Sequence, residues 1–193
     1  MLSLLFSNPY AFVIIFGGII MAIGIHEAAH CYMADYLGDP TPRSLGRLTL
    51  NPFAHLDPLG TLVILVTGVF GWGKPSPFDP YNLRSPRRDT ALIALAGPIS
   101  NILLAIFLSS IFRLFNLYPL SSIFYSLISL NINLALFNLI PIPPLDGSKI
   151  FLNSGLNPRQ SQLGYFFLIF LIMTGLVSTL LSPISNFLLH LLI

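Results

Sequence analysis

Residues 24–38 read GIHEAAHCYMADYLG, and within them His26, Glu27 and His30 have the types and spacing to do chemistry. On a helix an i, i+4 pair shares one face, with Cβ atoms about 6 Å apart. Two imidazoles so placed can meet one zinc ion at about 2.0–2.1 Å each. Glu27 follows the first histidine and points beside such an ion, where a carboxylate can take a proton from an activated water. The blander alternative is a hydrogen-bonded structural cluster. The setting weighs against it: the residues end an almost unbroken apolar stretch, and ionisable groups at membrane depth are costly enough to imply function. Cys31, one residue after His30 and five after His26, has poor helical spacing for a ligand and reads as a small buried residue.

Catalytic zinc usually takes three protein ligands and keeps a fourth position open for water. Candidates for the third ligand are Asp35, Asp39, His55, Asp57, Asp89 and Asp146. Asp35 and Asp39 lie past the reach of the histidine pair, and Asp89 sits beside Arg87 and Arg88 as an interfacial charge would. Asp146 lies in NLIPIPPLDGSKI, where prolines break the helix and Gly147 permits a tight turn. Local chemistry leaves Asp146, His55 and Asp57 all in contention.

The elements that must hold these residues are membrane helices. The chain of 193 residues is 54% hydrophobic and only 8% charged, with a mean hydropathy of +0.81. Soluble domains carry roughly a quarter charged residues, so an all-α polytopic membrane protein is expected. It reads as a single integral-membrane domain over 1–193, and the net charge of +2 is too small to suggest a nucleic-acid partner. Four stretches are long enough to cross about 30 Å of hydrocarbon: roughly 10–32, 90–112, 121–140 and 163–181. The apolar stretch 59–72 is shorter, with Arg43 and Arg47 before it and Lys74, Arg84, Arg87 and Arg88 after it. Basic flanks prefer the cytoplasmic side, so a re-entrant segment fits better than a crossing. That places the N-terminus outside and the HEAAH residues near the cytoplasmic face. Between the first span and the short stretch, RLTL alternates as a strand would, and GWGKPSPF could pair with it in a β-hairpin-like insertion. The N-terminus has no basic n-region or small-residue cleavage site, and is a poor signal peptide.

HEAAH together with the run from Asn138 to Gly147, which matches N-x-x-P-x-P-x-L-D-G throughout, resembles the site-2 protease family of intramembrane zinc metalloproteases. AGPISN (Ala96–Asn101) and GWGKPSP (Gly71–Pro77) also look like segments of that family, and the likeness runs from about Ala22 to Ser154. The resemblance implies one zinc per chain held by His26, His30 and Asp146, with Glu27 as general base. It further implies that Asn138, and more weakly Asn101, contact the substrate, and that the extended region after the first span helps present an unwound strand. Expected partners are transmembrane protein substrates and the lipid bilayer. No segment is long enough for an inserted soluble PDZ or CBS module. His55 stands outside the motifs as a supporting donor, a gate or an interfacial residue. The rival from another class is a non-proteolytic membrane zinc carrier, sensor or scaffold, which would have no need of Glu27.

Overall fold

A computed structural model describes residues 1–67, 71–152 and 158–193. Its elements in chain order are α1 (Leu2–Ser7), α2 (Pro9–Tyr36), α3 (Thr41–Ser44), α4 (Pro58–Thr67), α5 (Pro86–Leu114), α6 (Ser121–Asn138), α7 (Asp146–Phe151), α8 (Pro158–Met173) and α9 (Leu176–Leu192). α2 starts where the Asn8 side chain accepts a hydrogen bond from Ala11 N–H, with Pro9 at the first helical position. At 1.5 Å per residue its 28 residues run well past the hydrocarbon thickness, so the catalytic-type residues in its last third fall toward one end. α2, α5 and α6 with its preceding turn are each long and apolar enough to cross a membrane, and α8 with α9 form a pair bent by 72° that together would make a fourth.

α5 packs along α2 and α6, and α9 closes the far side of α6. One core cluster joins Ala105, Ile128, Ile132 and Leu189 from α5, α6 and α9. A second joins Ile19 and Ile23 of α2 to Ile64 of α4. Outward positions are apolar as well, including Val13, Leu103, Phe107, Phe167 and Phe170, as expected of helices whose solvent is lipid.

The expected β-hairpin-like insertion is not there. Among the described residues the only pairing of this kind is an isolated antiparallel bridge between Leu56 and Gly73. The physical reason lies in the side chains and the prolines. Pro75 and Pro77 have no N–H to donate to a ladder. The RLTL stretch is engaged through side chains instead: His55 Nε2 donates to Thr49 O at 2.8 Å, and the Arg47 side chain donates to Lys74 O at 2.8 Å. The short apolar stretch 59–72 forms α4, only 10 residues long; its residues 68–70 lie outside the described residues. The bridge and the 2.7 Å bond from Lys74 N to His55 O bring its two flanks together.

Asp39 organises the turn that follows α2. Its Oδ1 accepts from Thr41 N, Thr41 Oγ1 and Asn82 Nδ2, and its Oδ2 accepts from Asp79 N. Burial alone would raise its pKa, but these bonds prevail and hold the carboxyl below its usual range. A depressed folded pKa means that this stabilisation is present above the ordinary Asp value of about 3.9 and is lost as pH falls through the folded value. Asp39→Asn therefore lowers unfolding stability by about 1.5–3 kcal/mol at neutral pH. Thermal unfolding in detergent should show this gap, and show it narrowing as the pH is taken below the carboxylate range.

Candidate metal centre and active site

Three elements deliver the centre. α2 carries His26 and His30 on one face, their ring centroids 4.7 Å apart with planes at 88°. The proline-broken turn after α6 carries the chain to Asp146 at the start of α7. Asp146 Oδ2 lies 3.1 Å from His26 Nε2 and 3.0 Å from His30 Nε2, and all three side chains are buried.

The outer nitrogens decide what this convergence means. His26 Nδ1 is 2.6 Å from Asn101 Oδ1, and His30 Nδ1 is 2.7 Å from Ile93 O. Both partners are carbonyl oxygens, which only accept, so each Nδ1 carries a hydrogen, and in the neutral ring Nε2 is the lone-pair nitrogen turned inward. The amide orientation of Asn101 is fixed in turn, since its Nδ2 donates to Ala22 O and to Asn131 Oδ1. Two imidazole lone pairs and a carboxylate oxygen thus face one another in a buried space, an arrangement that calls for a cation between them. The ligand atoms lie within 4.8 Å of one another, close enough for one ion. Nitrogen and oxygen donors in this number suit zinc with an open position.

α5 leaves room for that ion by being a bare backbone where it passes. A Cβ on Gly97 would lie 2.5 Å from His30 Nε2 and 2.6 Å from His26 Nε2. The other oxygen of Asp146 is held by Lys149 Nζ at 3.1 Å, which leaves Oδ2 for the centre. The centre opens into a cavity of about 600 Å³, lined by Glu27, Asn138 and Lys149 among polar residues and by Ile23, Leu134 and Phe137 among apolar ones.

The structure separates the candidates cleanly. Asp146 joins the histidines. Asp35 pairs with Arg43, Asp57 accepts from Gly60 N at the start of α4, and Asp89 accepts from Ser85 N at the start of α5. His55 is fully buried, wedged between Thr49 O and Arg47. Burial, with the Arg47 charge beside it, pushes its pKa down against the bond to Thr49 O, and its ring is engaged by the 45–57 loop rather than by the centre. Asn138 lines the cavity. Asn101 instead sits behind His26, fully buried, with its amide committed to His26, Asn131 and Ala22. Cys31 is fully buried too. Sequence reasoning missed Asn131, Gly97 and the Ile93 carbonyl; only the spacing of the AGPISN segment hinted at the α5 contribution.

A helical chain with several membrane-length apolar helices and a metal-ready His-His-Asp centre beside a glutamate defines a class, the membrane zinc metalloproteases. Comparison with known proteins agrees. Residues 116–181 match the description Peptidase family M50. The chain is 40% identical over 184 residues to "Putative zinc metalloprotease YwhC" of Bacillus subtilis (strain 168), covering 87% of this chain and 84% of that protein. It is 31% identical over 158 residues to "Putative zinc metalloprotease Rip2" of Mycolicibacterium smegmatis, covering 78% of this chain and 60% of that protein. To the protein of the same name in Mycobacterium tuberculosis (strain ATCC 25618 / H37Rv) it is 30% identical over 182 residues, covering 88% and 69%. No solved structure matches. The chain belongs to peptidase family M50, and it is an integral membrane zinc metalloprotease.

The absence of a side chain at Gly97 is testable. Gly97→Ala should fold, as circular dichroism will report, yet retain less than about half the wild-type zinc after equal loading, because its methyl group presses on both imidazole Nε2 atoms and displaces them. Full zinc retention, measured by elemental analysis, would contradict the packing described here.

Proposed function

We propose that this protein is an intramembrane endopeptidase, hydrolysing peptide bonds within or near transmembrane segments of protein substrates. The observation that carries the reading is the His26–His30–Asp146 convergence, with Glu27 beside it, at the end of a membrane-length helix and in a cavity with apolar walls. A soluble substrate has no reason to find such a wall; a membrane-embedded segment does.

In this reading His26 Nε2, His30 Nε2 and Asp146 Oδ2 hold the zinc. Zinc bound there supplies Lewis acidity to water and to the scissile carbonyl. Glu27 accepts the proton of the attacking water and returns it to the leaving amine. Asn101 acts as a positioning residue for His26 rather than as a substrate contact, because it fixes the tautomer from behind. Asn138 donates its own Nδ2 to Leu134 O at 2.9 Å, so Oδ1 is the group it offers to a substrate N–H. A helical peptide bond is shielded by its own hydrogen bonds. An unwound substrate must find partners for its freed backbone groups away from lipid, and Asn138 with the irregular segments at 71–79 and 139–145 can supply them.

The arrangement in the membrane follows from the flanking charges. The single membrane domain places its N-terminus outside, the active site near the cytoplasmic face and α4 as a re-entrant helix, since Arg43 and Arg84 both favour the cytoplasmic side. In a Cys31→Ser background, cysteines at the exposed positions Ser44 and Arg84 should label from one face and a cysteine at Asn116 from the other. Labelling of Ser44 and Arg84 from opposite faces would overturn the re-entrant topology.

The chemistry is tested by two substitutions. Glu27→Gln should keep one zinc per chain and lower cleavage of a transmembrane peptide in liposomes by roughly 10²–10⁴-fold, the usual range for a lost general acid–base. Asp146→Ala should lose the metal together with the activity. Near wild-type cutting by Glu27→Gln would remove the proposed mechanism.

A further inference from the structure

Ser76 lines the cavity from the strap that precedes α5, and its side chain has had no role so far, yet its hydroxyl lies on Glu27. Ser76 Oγ is 2.7 Å from Glu27 Oε2 and 2.8 Å from the backbone oxygen of the same residue. It also faces the Cys31 thiol one turn further along α2. A serine hydroxyl has one proton to donate, and the oxygens on both sides of it that belong to Glu27 are acceptors. Whichever receives the hydrogen at a given moment, the carboxylate is drawn against the segment that carries Ser76.

That segment is built to hold still. Pro75 and Pro77 bracket Ser76, each with a fixed φ, and the residue before a proline is confined to extended conformations. Just upstream, Lys74 N donates to His55 O at 2.7 Å, and Lys74 O accepts from the buried Arg47 at 2.8 Å. Downstream, Asp79 N donates to the buried Asp39 at 2.7 Å. The strap also lies close along the glutamate's aliphatic part: a Cβ on Gly73 would come within 3.1 Å of Glu27 Cγ. The side chain of Glu27 is therefore clamped by Gly73 at its stem and by Ser76 at its carboxylate. Oε2 is thereby committed to Ser76, while Glu27 itself lines the cavity. This explains why a buried arginine and a buried histidine, Arg47 and His55, are spent on a loop outside the spans: they fix the height at which Ser76 meets α2.

We infer that Ser76 is a positioning residue for the reaction, holding the Glu27 carboxylate in the rotamer from which it reaches the attacking water. The inference rests on Glu27 being the general base, as proposed above. Its effect falls on turnover and not on substrate affinity, since Ser76 acts through Glu27 and not through the peptide. It also leaves the metal in place, since none of the ligand side chains touches it.

The test uses the full chain reconstituted in liposomes with a fluorogenic transmembrane peptide, comparing Ser76→Ala, Ser76→Thr and Ser76→Val. Ser76→Ala should lower kcat about 10-fold, with KM within about twofold and zinc content unchanged; loss of one hydrogen bond to a charged group is of this size. Ser76→Thr, which keeps the hydroxyl, should recover most of the rate, and Ser76→Val, of the same shape without it, should not. A readout that needs no turnover accompanies it. In zinc-stripped protein, the melting-temperature shifts of Ser76→Ala and Glu27→Ala should be non-additive in the double variant, because each removes the same bond. Additive shifts, equal rates for Ser76→Ala and wild type, or equal losses for Thr and Val would each overturn the role of Ser76. If Glu27→Gln is inactive in the same assay while Ser76→Ala is not, the base stands and only Ser76 fails. If Glu27→Gln is active, the base assignment fails first.

Discussion

Two imidazole lone pairs and a carboxylate oxygen pointed at one another in a buried space repel unless a cation stands between them. Much of the structure around the centre serves that constraint. His26 and His30 can point their Nε2 atoms inward only because Asn101 Oδ1 and Ile93 O hold the hydrogens on the other side of each ring. Both acceptors come from α5, so the packing of α5 on α2 sets the protonation pattern of the site as well as its shape. The same helix passes the ligand atoms as bare backbone at Gly97, and Lys149 occupies the Asp146 oxygen that does not face the histidines. The proposed zinc binding is in this sense distributed over α2, α5 and the α6–α7 turn.

A membrane protein that needs irregular backbone near its active site must satisfy each polar group it exposes. Here side chains do that work where helices stop. Asp39 takes four donors in the turn after α2, Asn51 and Asp57 cap the short turns that follow, and Arg47 with His55 ties the 45–57 loop to the 71–79 strap. These residues are held away from the centre, although three of them, Asp39, His55 and Asp57, looked like candidates by type. Their role is to let a non-helical segment lie beside the cavity without a sheet to support it. That segment in turn carries groups that a helix could not aim at Glu27.

The cavity lining mixes apolar and polar groups, and both would serve the proposed reaction. Ile23, Leu134 and Phe137 suit the side chains of a membrane segment, while Glu27, Asn138 and the centre supply the polar groups. The outward faces of the helices are also apolar, so the direction of the polar groups is what distinguishes inside from outside. Burial of a charged group without a partner is expensive, and every ligand-type residue near the centre is accordingly held by another group.

By itself the sequence determined the membrane class, three of the main helices and the shared face of the histidine pair, whereas the expected span 163–181 is broken by the bend between α8 and α9. Hydropathy and i, i+4 spacing are local properties and survive without knowledge of packing. Asp146 could be ranked but not chosen on local chemistry, because His55 and Asp57 offer the same donor types and only distance in space tells them apart. The strand expectation failed at RLTL for a related reason: alternation reports two faces, yet here one face is a buried arginine bonded to a distant carbonyl. Asn101 was a weak substrate-contact candidate through the family likeness of AGPISN alone. Tertiary structure alone decided that it stands behind His26, since which side of a side chain faces the cavity depends on how two helices cross. Ser76 was invisible for the same reason, 49 residues from the glutamate it touches. What spacing encodes is the identity of groups on one helix; what holds them in working orientation comes from other elements, and only their packing reveals it.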